Sequence, residues 1–152
     1  HMLLVVSIKW IMMGRFKEGD HPFYGDFHLR WTYYMILIDS IHHITELCTT
    51  TVFANLFYRL MGARVGPECV LSGTALEYDL LSLEARSCVG VDCDVTNHTV
   101  ENMVLKLLPT EISERCCIRN YSVLMPGAKM EDDSVLMGQS LVLKGEIVES
   151  QT

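Results

Sequence analysis

The chain has 152 residues, with 19 acidic against 12 basic side chains, a formal charge of −7 and 49% hydrophobic residues. That length fits one domain, and the acidic balance, without a basic run or aromatic-basic interleaving, argues against a general nucleic-acid binder. So much apolar surface has to be covered by a core, by a subunit interface or by other parts of a longer protein.

His1 and Met2 have the look of a cloning scar and are set aside. Residues 3–13, "LLVVSIKWIMM", are mostly apolar, carry Lys9 and are too short to span a bilayer. Residues 19–26, "GDHPFYGD", read as a turn. The nearby aromatics Phe23, Tyr24, Phe27, Trp31, Tyr33 and Tyr34 suit either a membrane interface or a packed junction.

Between residues 27 and 48, Tyr34, Leu37, Ile38, Ile41, Ile44 and Leu47 form a helical stripe. Asp39, His42, His43 and Glu46 mark the opposite face; their spacing suits a metal pair, but a solvated face is the preferred reading, and no metal is expected. A second helix is expected over 52–61, capped by Thr50 or Thr51 and ended by Gly62. Its stripe, Val52, Phe53, Leu56, Phe57, Leu60 and Met61, would lie over the open end of the repeat region that begins near Val65.

In that region the apolar period changes to six. Ile112, Ile118, Leu124, Met130, Leu136 and Val142 recur at that step, each with a partner four positions later: Cys116, Ser122, Ala128, Ser134, Ser140 and Glu146. Neither a helix near 3.6 nor a strand near 2 sustains that period. A solenoid does, each short strand turning one aliphatic residue inward and tucking one small residue near a corner. Upstream, Val65, Leu71, Leu83, Val89 and Val95 keep the step and fail only at Glu77; the small positions Cys69, Ala75, Ser87, Cys93 and Thr99 fail only at Leu81. From Val95 to Ile112 is seventeen residues, so about eleven extra residues interrupt the repeat. Ile118, Met130 and Leu136 are expected to be deeply buried. The six cysteines show no CxxC or zinc spacing and read as reduced thiols; the adjacent Cys116 and Cys117 are given little weight as a redox pair.

The hexapeptide rule and the "MPGA" corner at 125–128 resemble the left-handed β-helix of the hexapeptide-repeat acyltransferases. The resemblance implies a mainly β fold, a left-handed parallel β-helix of about four coils with an N-terminal helical segment and an inserted loop in coil two. Coils would run over 65–82, 83–111, 112–129 and 130–147. Residues 3–62 would form the helical segment, and 63–149 the β-helix with its loop at 97–111. Residues 9–31, 56–66, 96–107 and 140–146 together resemble the terminal region of nonribosomal-peptide-synthetase-like proteins of the poly-lysine synthetase type. That likeness implies a fragment of a longer protein. Its partners would be carrier and adenylation domains, and its location cytoplasmic with membrane association in the full-length protein.

In hexapeptide acyltransferases a histidine serves as general base, a task suited to its near-neutral pKa. His98 matches that histidine, with Asn97 between it and Thr96, and it is the only histidine of the repeat region. Glu101 or Asn102 would orient its ring, and Lys106 and Lys144 would meet the cofactor. The donor implied is acyl-CoA or a phosphopantetheine-bound acyl thioester, the acceptor an amine or hydroxyl, the assembly a homotrimer. The alternative is a non-catalytic β-helical interaction or trimerisation module. A γ-type carbonic anhydrase needs three histidines around the β-helix and is rejected.

Overall fold

The computed structural model describes residues 2–150; His1 lies outside them. The N-terminal part comprises α1 (Met2–Met12), β1 (Gly19–Pro22), α2 (Asp26–Ser40), α3 (His42–Cys48) and α4 (Val52–Met61). A triangular solenoid comes next. Its first coil holds β2 (Arg64–Val65), β3 (Val70–Leu71) and β4 (Thr74–Ala75), then a 3₁₀ turn at Tyr78–Leu80. The second holds β5 (Leu81–Leu83), β6 (Cys88–Val89) and β7 (Asp94–Val95), then an excursion of β8 (His98–Glu101) and β9 (Val104–Leu107). The third has β10 (Thr110–Ile112), β11 (Cys117–Ile118) and β12 (Val123–Leu124). The fourth has β13 (Lys129–Met130), β14 (Val135–Leu136) and β15 (Leu141–Val142), and β16 (Ile147–Val148) opens a fifth.

Three parallel sheets form the faces, in the orders β16-β13-β10-β5-β2, β14-β11-β6-β3 and β15-β12-β7-β4. The ladders stack the residues the period selects: Val65, Leu83, Ile112, Met130 and Val148 on one face, Leu71, Val89, Ile118 and Leu136 on the next. Ile118 and Met130 are buried. Leu136 is only half-buried, contrary to expectation, because β14 is the last strand of its sheet and no coil covers it. Cys69, Ser87, Cys93, Cys116, Ser122, Ala128 and Ser134 fill the small inward slots.

The third face is irregular. Ala75 pairs with Val95, which pairs with Leu124, which pairs with Val142. Eighteen residues separate the regular partners, but twenty separate Ala75 from Val95. Coil one therefore reaches its third strand two residues early and spends the difference on residues 76–80, which include Glu77 and the 3₁₀ turn.

Several expectations about the helices need correction. The stripe over 27–48 breaks at Ile41 (φ −107°), and Leu47 is exposed. In α4 the buried residues are Ala54, Phe57, Tyr58 and Met61, while Val52, Phe53, Leu56 and Leu60 face solvent. The cause is the edge this helix covers. The first coil has no coil beneath it, so its carbonyls need donors. Asn55 Nδ2 donates to Cys69 O at 2.8 Å, Tyr58 Oη to Gly73 O at 2.9 Å, and Arg59 Nε to Val65 O at 2.9 Å. Those polar side chains rotate the apolar stripe partly outward. Gly62 ends α4 in the left-handed region (φ 112°), as expected.

Residues 19–22 are a strand rather than only a turn: β1 pairs antiparallel with β9, from Gly19 opposite Leu107 to Pro22 opposite Val104. Pro22 and the single ladder of β1 are consistent with an edge strand. Helix α1 is anchored by a buried ion pair, Lys9 Nζ to Asp79 Oδ2 at 2.6 Å, whose carboxylate also accepts from Phe16 N at 3.0 Å. Burial pulls the Lys9 pKa below its ordinary value against the opposing pull of Asp79. Among the described residues no helix is long and apolar enough to cross a membrane.

Candidate active site

The interrupted repeat and the shifted strand meet at one corner. Asn97, fully buried, begins the excursion. Its Nδ2 donates to Leu80 O at 3.3 Å, Leu108 O at 3.2 Å and Thr110 Oγ1 at 3.0 Å, while Leu108 N returns a bond to Asn97 O at 2.9 Å. One amide thus closes both ends of the inserted segment. Residues 98–107 are a hairpin, not an irregular loop, paired from His98 opposite Leu107 to Glu101 opposite Val104. Asn102 (φ 51°) and Met103 (φ 62°) form its two-residue turn, and the two positive φ values match the type I′ geometry that suits right-twisted strands. Leu105 and Leu107 are fully buried, which fixes the hairpin's inner face.

His98 lies on that inner face, directly opposite Leu107. Its Nδ1 is 2.9 Å from Glu77 Oε1, with side-chain exposures of 21% and 0%. The two atoms are in close contact without the alignment of a hydrogen bond, and Nδ1 and Glu77 Oε2 both lack hydrogen-bond partners in the chain. Glu77 Oε1 also accepts from Trp31 Nε1 at 2.8 Å, and the Trp31 and His98 rings meet edge-on at 4.9 Å. Trp31 comes from α2, Glu77 from the shifted stretch of coil one and His98 from the insertion of coil two. Because Nδ1 is buried, the exposed part of the ring is on the side away from it.

The expected ring-orienting residues stand elsewhere. Three residues along a strand reverse the face, so Glu101 points opposite to His98. It accepts from Lys144 Nζ at 2.6 Å and pairs with Lys106 Nζ at 3.1 Å. These two lysines, Lys144 first, hold the Glu101 pKa below the ordinary carboxylate value. Asn102 is spent on the turn. Glu77 takes the position beside the ring, and its one sequence signal was a carboxylate where the period calls for an aliphatic residue. Trp31 carried no such signal.

Other chemistry is poorly served. All six cysteines are free, and burial pushes the Cys88 and Cys93 thiols up, away from thiolate reactivity at neutral pH. Glu46 lies 3.1 Å from His42 and 3.7 Å from His43, as pairs on a solvated helix face do. Among the described residues no three acidic, histidine or cysteine side chains cluster as a metal would need.

No family model matches the chain. It is 22% identical, over 99% of its length, to delta-poly-L-ornithine synthetase of Acinetobacter baumannii (strain AB307-0294), and it spans 12% of that protein. A hexapeptide-repeat acetyltransferase of Vibrio cholerae O1 biovar eltor, solved with acetyl coenzyme A, superposes with a TM-score of 0.58 at 10% identity, covering 79% of this chain and 82% of that one. A maltose O-acetyltransferase of Clostridium difficile 630 gives 0.56 at 8% identity, covering 87% and 88%. The fold is that of the hexapeptide-repeat acyltransferases: a mainly β, left-handed parallel β-helix with N-terminal helices.

Proposed function

We propose that this chain, built on the hexapeptide-repeat acyltransferase fold, is an acyl-transfer segment of a larger synthetase-like protein, with His98 as its general base. The observation that carries the reading is the Trp31–Glu77–His98 chain of contacts at the one corner where the repeat is broken. A proton on Nδ1 faces Glu77, which leaves Nε2 as the basic nitrogen. Nε2 removes the proton from an amine or hydroxyl while that atom bonds to the acyl carbon of a thioester. The carbon–sulfur bond breaks, and the proton passes from His98 to the departing thiolate. Glu77 is a positioning residue: its buried oxygen fixes the tautomer and stabilises the imidazolium while it exists.

The neighbour solved with acetyl coenzyme A supports a coenzyme A thioester as donor. A phosphopantetheine arm on a carrier domain would present the same group. Lys106 and Lys144 share the carboxylate of Glu101 on the outer face of the hairpin, and Asp20 of β1 stands opposite Lys106, so a phosphate there would compete with two carboxylates for the two lysines. A homotrimer, with a neighbouring copy closing the site, belongs to the same proposal and would cover the exposed Val100 and Met103. The name of the curated relative, a poly-L-ornithine synthetase, supports an amine-bearing acceptor, and the 12% share of it that this chain spans supports a longer protein; carrier and adenylation partners are what the sequence resemblance implies.

A second reading, a non-catalytic platform for neighbouring domains, is favoured by the exposed apolar residues Val52, Phe53, Leu56 and Leu60 of α4. Thioester turnover by the full-length protein separates the two. His98→Ala is expected to lower acyl transfer by roughly 10²–10⁴ with little change in melting temperature. Glu77→Gln should lower it less and shift the pH–rate profile. Unchanged turnover in His98→Ala would leave the platform reading.

A further inference from the structure

Coils two and three bring two half-buried thiols together on the outside of the solenoid. Cys88 of β6 and Cys117 of β11 are partners in one parallel ladder, directly opposite each other. Each follows a residue of the inward column, Ser87 and Cys116, so both side chains leave the same outer face in the same direction. Val70 and Val135 flank them in the ladder, and Val70 is exposed, so small molecules reach the pair from solvent. Ladder spacing puts the two Cα atoms about 4.8 Å apart, inside the range of about 4.4–6.8 Å that a disulfide bridges. The other thiols are placed differently. Cys69, Cys93 and Cys116 are buried in the inward slots and donate to Glu84 O at 3.0 Å, Arg119 O at 3.1 Å and Glu131 O at 3.1 Å. Cys48 lies on α3, off the solenoid. Burial, and then the neighbouring Cys117 thiol, raise the Cys88 pKa, so at neutral pH the resting pair is a dithiol and exchange is slow.

We propose that Cys88 and Cys117 form a reversible disulfide site that exchanges with small-molecule disulfides. One cysteine thiolate attacks a sulfur of the small disulfide; that S–S bond breaks, and the departing thiolate takes up a proton. The second cysteine thiolate then attacks the protein sulfur of the mixed disulfide and expels the other small thiol. Two protein thiols lose two protons and two electrons, and one small disulfide becomes two thiols. Parallel side chains hold their Cβ atoms near the strand spacing, wider than the mean of about 3.8 Å in disulfides, so the bridge is strained and readily reopened. It ties coil two to coil three and closes a loop over residues 88–117, which contains the hairpin and His98. The site does not depend on whether His98 transfers acyl groups.

The test treats the folded protein with oxidised glutathione and maps its disulfides by mass spectrometry of fragmented peptides. The parent chain should lose two of its six free thiols, bridge Cys88 to Cys117 and recover both thiols in excess reduced glutathione. Cys88→Ser should stop at a mixed disulfide of glutathione on Cys117, and Cys117→Ser at one on Cys88. Both variants should melt near the parent, because serine keeps a small polar group on this outer face. Cys48→Ser should leave the bridge unchanged. A mixed disulfide that persists on the parent, a bridge between other cysteines, no loss of thiols, or a bridge that resists reduced glutathione would overturn the inference.

Discussion

Coils three and four and the corner at residues 75–109 are made from the same repeat and put it to opposite uses. In the regular coils each strand pairs with the strand eighteen residues on: Ile112 stacks on Met130, Ile118 on Leu136 and Leu124 on Val142, and these three ladders together form the apolar column inside the solenoid. At the corner the strand is displaced, a 3₁₀ turn intervenes, and a hairpin is inserted. The polar residues Glu77, Asn97 and Thr110 are fully buried there. A solenoid without irregularities has no cleft, because each coil repeats the one beneath it. The regular part thus supplies the stability that lets buried polar groups persist at the corner.

The largest effect expected is on the regular column. Ile118→Asp would place an unpaired charge between Val89 and Leu136, at a site with no exposure. A cost on the order of 5 kcal/mol is comparable to the whole stability of many domains. The variant should be unfolded or aggregated by circular dichroism at 25 °C; a cooperative melt near that of the parent chain would show that the column does not carry the fold.

Next comes the joint between helices and solenoid. Lys9→Met leaves the Asp79 carboxylate buried with only the Phe16 amide for company. Breaking a buried pair from one side costs about 3–5 kcal/mol, and adding Asp79→Asn should restore much of it. Chemical denaturation of both variants measures this; a double variant as unstable as the single one would mean that packing around Lys9, not its charge, is what was lost.

Asn97→Leu tests the corner itself. It removes the amide donors that Leu80, Leu108 and Thr110 accept, at a cost of about 2 kcal/mol. Amide hydrogen exchange should rise in residues 98–107 while residues 112–142 keep their protection. Uniform loss of protection in both regions would erase the distinction between them.

This contrast also sorts what was legible beforehand. The six-residue step came from apolar period alone, because a solenoid repeats one local environment and so writes it into the sequence; the grouping of three steps into a coil came from the resemblance. The strand ladders confirm the register of Leu83 with Ile112 across the eleven-residue interruption. His98 stood out because it sits where that period stops. Glu77 was visible only as a fault in the repeat, since its partner lies twenty-one residues away and Trp31 forty-six. The strand at Gly19–Pro22 was hidden because it pairs with a hairpin strand more than eighty residues later, and local turn chemistry masked it. The buried face of α4 was misread because the edge it caps demanded donors as well as apolar surface.

The smallest effect is expected at the hairpin's outer face. Lys144 belongs to coil four and reaches Glu101 on the hairpin, so this contact ties the regular region to the irregular one. Glu101 lies open to solvent, where water and salt screen the pairing. Glu101→Gln should therefore barely move the melting temperature and should loosen exchange only at the hairpin tip. The pH dependence carries the sign. The folded pKa of Glu101 is depressed, by Lys144 and then by Lys106, so the contribution is present above the ordinary carboxylate pKa and is lost as pH falls through the lower folded value. The difference between parent and variant should thus persist from pH 7 to pH 5 and fade below about pH 4, near the unperturbed glutamate value. A difference that survived at pH 2, where the carboxylate is protonated in both states, would mean that Glu101 acts by shape and that the two lysines do not need its charge.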